Sequence, residues 1–170
     1  MENVEPVRLR TKDVMVRDVA VVSPHDSLAH AAALMAARTC GSVVVVNAVR
    51  RPLAMLTDRD ICMAALHVDQ PLSQLRVAQA MSKQLFCCRG DDELVRAEDL
   101  MALHQVRRLP VLEGDHLVGI VTIDDLARAS RQLANRRLLG RRAGDPDFAG
   151  TLTRVLSQRA RHVEPTDAEG

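Results

Sequence analysis

An internal repeat constrains this chain more than any other feature. Val14-Met15 recurs as Ala80-Met81, Asp26 as Asp92, and Leu34-Met35 as Leu100-Met101, each pair 66 residues apart. After a one-residue deletion, Thr57-Asp58-Arg59-Asp60 recurs as Thr122-Ile123-Asp124-Asp125, at an offset of 65. Register held over a whole unit indicates duplication of one supersecondary block. A block this short exposes too much apolar strand to be stable alone, so the two copies are expected to share a core.

Each copy predicts strand, helix, strand, strand, helix. In the first, Val19–Val22 is a short strand closed by Ser23-Pro24, because proline cannot continue a ladder. Ser27 or Asp26 caps a helix whose Leu28, Ala31, Ala32 and Met35 fall on one face. Gly41 breaks that helix, and Val43–Val46 is a β-branched run typical of a strand buried on both faces. A turn at Asn47–Pro52 leads to a strand over Leu53–Leu56 and a helix over Asp58–Leu66. In the second copy Leu85–Cys88 is the strand, and Asp92 caps a helix carrying Leu94, Ala97, Met101 and His104. Leu109–Leu112 and Leu117–Val121 form a hairpin about Glu113-Gly114-Asp115. A closing helix starts near Ile123 and runs on toward Arg142. The expectation is a mixed α/β (α+β) fold of two β-α-β-β-α repeats, packed sheet to sheet about a pseudo-twofold axis. The copies would span residues 8–69 and 70–130, with a helical extension and polar tail over 131–170.

Composition narrows the function. Of 170 residues 47% are hydrophobic, yet Phe86 and Phe148 are the only aromatics, so a flat ligand would lie between aliphatic walls. The same lack argues against single-stranded nucleic acid, which is usually held on aromatic platforms. A net charge of +1 provides no global field toward nucleic acid or membrane. No stretch approaches the ~20 apolar residues of a membrane span, and the polar N-terminus does not resemble a secretory signal. A cytoplasmic protein is expected. Cys40, Cys62, Cys87 and Cys88 do not form paired C-x-x-C knuckles, so they read as small buried side chains rather than zinc ligands. The six histidines are scattered, and no nucleophile, base and acid fall into a series, so no enzyme is expected.

Three features together make the chain resemble a tandem pair of cystathionine-β-synthase (CBS) domains, a Bateman module. They are the element order used twice, the signature small–hydrophobic–x–Thr–x–x–Asp, and Val106-Arg107-Arg108-Leu109-Pro110-Val111, which is similar to the family's second-strand entry. The signature reads Ala54-Met55-Leu56-Thr57-Asp58-Arg59-Asp60 in one copy and Gly119-Ile120-Val121-Thr122-Ile123-Asp124-Asp125 in the other.

The resemblance implies a regulatory module without obligatory cofactor, binding an adenine nucleotide or similar adenosine compound in a cleft between paired domains. Asp60 and Asp125 would accept from ribose hydroxyls, and Thr57 and Thr122 would bond phosphate or ribose. Arg59, Arg107 or Arg108 would meet phosphates. Ser42, Pro110, Val22 and Val43 would line the site, the two valines holding the adenine. A homodimer and a separate downstream partner are implied as well. Read without the family, Thr-x-x-Asp at a helix start is also a capping box, and one aspartate can serve both roles. The copies differ at Ala54 against Gly119, Cys40-Gly41-Ser42 against Val106-Arg107-Arg108, and Arg59 against Asp124, so the two clefts are expected to differ in affinity. From Ala127 to Arg142 there are six arginines and no acid. That helix reads as a solvated face or a docking surface for an acidic protein or nucleic acid.

Overall fold

The computed structural model describes residues 9–136 and Gly150. Its elements are α1 (Thr11–Val14), β1 (Val21–Val22), α2 (Leu28–Ala37), β2 (Ser42–Val46), β3 (Pro52–Thr57), α3 (Asp58–His67), α4 (Val77–Ala80), β4 (Cys88–Arg89), α5 (Leu94–His104), β5 (Arg108–Glu113), β6 (His116–Thr122) and α6 (Ile123–Arg136). They make two three-stranded sheets, ordered β1-β2-β3 and β4-β5-β6. In the first, β1 runs parallel to β2 through the crossover helix α2, while β3 is antiparallel with Ser42 opposite Thr57. Both leading strands are shorter than expected: Val19-Ala20 and Leu85–Cys87 stand outside the ladders.

Why these segments form these elements is visible locally. All five residues of β2 are buried, as the β-branched run predicts. Val43 and Val45 join Ala54 and Leu56 against Leu28, Ala31 and Met35 of α2 and Ile61 of α3. The edge of β3 is closed by Ser82, whose amide donates to the Met55 carbonyl (2.8 Å) while its hydroxyl accepts from the Met55 amide (3.0 Å). An edge covered in this way is no longer a template for pairing.

The helix ends decide one expectation and correct two. Ser27, not Asp26, caps α2, its hydroxyl accepting from the His30 amide at 3.1 Å. Asp92 does not cap α5; its carboxylate accepts from the Arg89 amide at 2.7 Å, as Asp26 accepts from Ser23 at 2.7 Å. Both aspartates thus tie the turn before the helix, a role that competes with capping for the same short side chain. Nor does Gly41 end α2. The helix stops at Ala37, and Thr39 turns left-handed at φ 50°, with the Cys40 amide reaching back to the Met35 carbonyl. The second copy repeats this with Gln105 at φ 56° and Val106 reaching back to Met101.

The chain divides into two compact units that do not follow the linear halves. One comprises Val16–Cys87 and Leu112–Gly119; the other holds the described residues up to Met15, Cys88–Val111 and those from Ile120 onward. Each copy is therefore completed by the segment that precedes the other. In the first unit the Val77 amide donates to Asp26 (2.9 Å), Ala78 to Pro24 (3.0 Å) and Leu28 to Leu75 (2.9 Å). In the second, Thr11 donates to Asp92, Lys12 to Gly90 and Leu94 to Leu9, each at 2.9 Å. The bridges Ser27–Arg76 and Arg10–Glu93 match in the same register. Leu75 and Val77, which a division at 69/70 assigns to the second copy, belong to the first unit's core.

The arginine-rich continuation (Arg137, Leu138, Arg141, Arg142), the expected helix over Thr151–Arg161 and the polar tail lie outside the described residues, as do the side chains of Arg131, Leu133 and Arg136.

Candidate functional site

Each copy turns from its last strand into its last helix at a threonine. Thr57 ends β3 and caps α3. Its amide donates to Asp60 Oδ2 at 2.8 Å, its hydroxyl donates to the same oxygen at 2.7 Å, and the Asp60 amide donates back to Thr57 Oγ1 at 3.2 Å. Thr122 and Asp125 repeat this at 2.8, 2.7 and 3.3 Å. The expected capping box is thus present in both copies, and it consumes one carboxylate oxygen of each aspartate.

The second oxygen separates the copies. Asp60 is half-buried, and its Oδ1 has no partner among the described residues. Asp125 is only 4% exposed, and its Oδ1 accepts from the guanidinium of Arg128, one helical turn on. The contact of Arg128 with Asp125 was not expected from the sequence; its signal was the Asp125-x-x-Arg128 spacing, which places both groups on one helix face.

The entry to the middle strand differs too. The Gly41 carbonyl accepts from the Asp58 amide at 3.1 Å, and a side chain at Gly41 would meet Asp58 Oδ2 at 3.1 Å. Asp58 in turn accepts from the Arg59 amide at 2.7 Å. In the second copy Arg107 and Ile123 hold these places, the Ile123 amide donating to the Arg107 carbonyl at 3.0 Å. The close approach of the carboxylate thus arises only where the helix opens with Asp58.

Of the other expected residues, Ser42 is buried beside Thr57 in the ladder, and Arg59 and Arg107 are exposed. Arg108 opens β5 half-buried, and Pro110 is buried within that strand. Val22 and Val43 do not meet at the threonine: both lie in the core, Val22 near Val45 and Val43 opposite Leu56. Val22 instead lines a hollow of about 450 Å³ with Ser23, Pro24, His25, Asn47 and Leu53. That hollow is at the end of β2 away from Ser42, roughly 13 Å along a five-residue strand.

Lys12 beside Asp91 (2.6 Å), with Arg10 farther off, holds that carboxyl below the usual range. Burial pushes the Cys87 thiol up to about 11. Among the described residues no group of three or more His, Cys, Asp or Glu could hold a metal ion, and no helix is long and apolar enough to cross a membrane.

Comparison with known proteins agrees with this architecture. A family model of the CBS domain matches residues 12–67 and again 77–132. The chain is 40% identical over 117 residues to the CBS domain-containing protein YhcV of Bacillus subtilis, covering 68% of this chain and 81% of that protein. The crystal structure of Hypoxic Response Protein I with two coordinated zinc ions superposes with a TM-score of 0.65 at 30% identity, over 71% of this chain and 98% of that one. At 17% identity, a likeness of fold alone, the CBS domain pair of protein MJ0100 in complex with 5′-methylthioadenosine and S-adenosyl-L-methionine has a TM-score of 0.65, covering 76% and 99%. The chain belongs to the CBS-domain family, as a tandem pair.

Proposed function

We propose that this pair is a regulatory module that binds an adenosine-containing ligand at its Thr-x-x-Asp corners and passes the result to a separate partner. The observation that carries the reading is the way each threonine corner spends its aspartate. Amide and hydroxyl fix one carboxylate oxygen, so the other is pre-oriented at a helix N-terminus, open to an outside donor at Asp60 and held by Arg128 at Asp125. A ribose diol is such a donor, and Arg59, Arg107 and Arg108 supply cations for phosphate. The adenosine compounds held by the MJ0100 pair fit the same reading. Binding rather than catalysis is the role, and a homodimer is the assembly whose arrangement the ligand would bias. A ligand shifts such an equilibrium only through its differential affinity for the two states.

The test is thermal melting with AMP, ADP, ATP, S-adenosylmethionine and NAD, with Asp60→Ala and Asp125→Ala alongside. A ligand at about 100 times its Kd adds about 2.7 kcal/mol, a rise of several degrees for a chain this size. The reading expects at least one compound to raise the midpoint and at least one variant to abolish the rise. No shift with any of the five would contradict it.

A further inference from the structure

Resting on the adenosine reading above, the geometry points to a single diol-binding corner: Asp60 takes the ligand's ribose, and Arg128 closes the equivalent carboxylate of Asp125. The two corners have the same backbone turn, the same threonine hydroxyl and the same doubly bonded Oδ2. They part at the residue three positions after the aspartate. In the first copy this is Met63, which has no hydrogen to offer a carboxylate, and Asp60 Oδ1 keeps its acceptor capacity. In the second it is Arg128, whose guanidinium already donates to Asp125 Oδ1.

Burial acts in the same direction. Asp60 is half-buried, within reach of a solute, whereas the Asp125 side chain is 3% exposed. A diol arriving there must displace a guanidinium–carboxylate ion pair and gains only hydroxyl-to-carboxylate bonds in return, a poor exchange. A diol at Asp60 displaces no protein group. The closure is local: Arg128 is itself 66% exposed, so it holds the carboxylate without being part of the core. Removing it should therefore leave the fold intact. Position 63 or 128 is thus a specificity switch, and the chain carries it in opposite settings.

The test is binding stoichiometry by equilibrium dialysis with AMP, ATP and S-adenosylmethionine, each measured on the full chain. Wild type is expected to take up one equivalent of at least one compound, lost in Asp60→Asn. The 2′-deoxy form of a nucleotide that binds should do so at least tenfold more weakly. Arg128→Met, which places the first copy's residue in the second, should raise the count to two, and the added equivalent should vanish in Arg128→Met/Asp125→Asn. Two equivalents in wild type, one equivalent that survives Asp60→Asn, or a count of one in Arg128→Met would each overturn the switch while leaving adenosine binding standing. No uptake of any compound by wild type or Arg128→Met would remove the adenosine reading and the switch together.

Discussion

At Thr57 the helix-opening aspartate retains one oxygen without a partner among the described residues, while at Thr122 the equivalent oxygen is taken by Arg128. Everything that builds the turn is common to both corners. What the pair teaches is that the cap needs only one carboxylate oxygen, so the other is free to vary without harming the fold. Duplication then gives one chain two settings of the same device. The surroundings diverge in step: Asp58 and Gly41 in the first corner, Ile123 and Arg107 in the second. Each helix carries two aspartates in its first turn, Asp58 and Asp60 in one and Asp124 and Asp125 in the other, but among the described residues only Asp125 has an arginine side chain, that of Arg128, bonded to it.

The largest effect expected from probing this comparison concerns the exchanged segments. Leu75 is 1% exposed in the first unit's core, whereas its counterpart Leu9 is only half-buried. Leu75→Ala should cost about 2–5 kcal/mol in urea unfolding, in line with other buried leucines, and Leu9→Ala distinctly less. Equal costs would mean that the two segments complete their units to the same degree. Next come the caps. Thr57→Ala and Thr122→Ala should each lose about 1 kcal/mol. Thr122→Ala should be the more damaging, because the Asp125 carboxylate loses a donor while 4% exposed. The smallest effect under ordinary conditions lies at the entry to β4, where Cys87-Cys88 stands in place of Val21-Val22. Desolvation raises the Cys87 thiol from 9.0 to about 11 in the folded protein. The stability linked to this thiol is fully present below about pH 9 and is lost as pH rises through about 11. A Cys87→Val variant should lack that alkaline loss, as read from midpoints between pH 8 and pH 11.

Much of the fold was legible because the repeat aligned its elements and the apolar spacing gave their faces. The capping box was legible for the same reason, since threonine and aspartate three apart have a defined geometry at a helix start. The exchanged segments were not. They are joined by backbone amides and carbonyls, which carry no residue identity, so nothing in Leu75–Met81 says which copy it completes. Asp92 was expected to cap and ties a turn instead, as Asp26 does, because a short carboxylate serves either role with equal ease. The resemblance implies an adenine wall at Val22 and Val43, and the same apolar side chains serve the first unit's core. Arg128 was hidden among the six arginines between Ala127 and Arg142 and read as part of a basic face.

The most direct test exchanges the two settings in one molecule. In Met63→Arg/Arg128→Met the arginine should close Asp60 and leave Asp125 open, with nothing else altered. Equilibrium dialysis of this variant with the adenosine compound bound by wild type should again give one equivalent, now abolished by Asp125→Asn. If the bound equivalent is instead still abolished by Asp60→Asn, the residue three after the aspartate does not decide which corner binds, and the account fails.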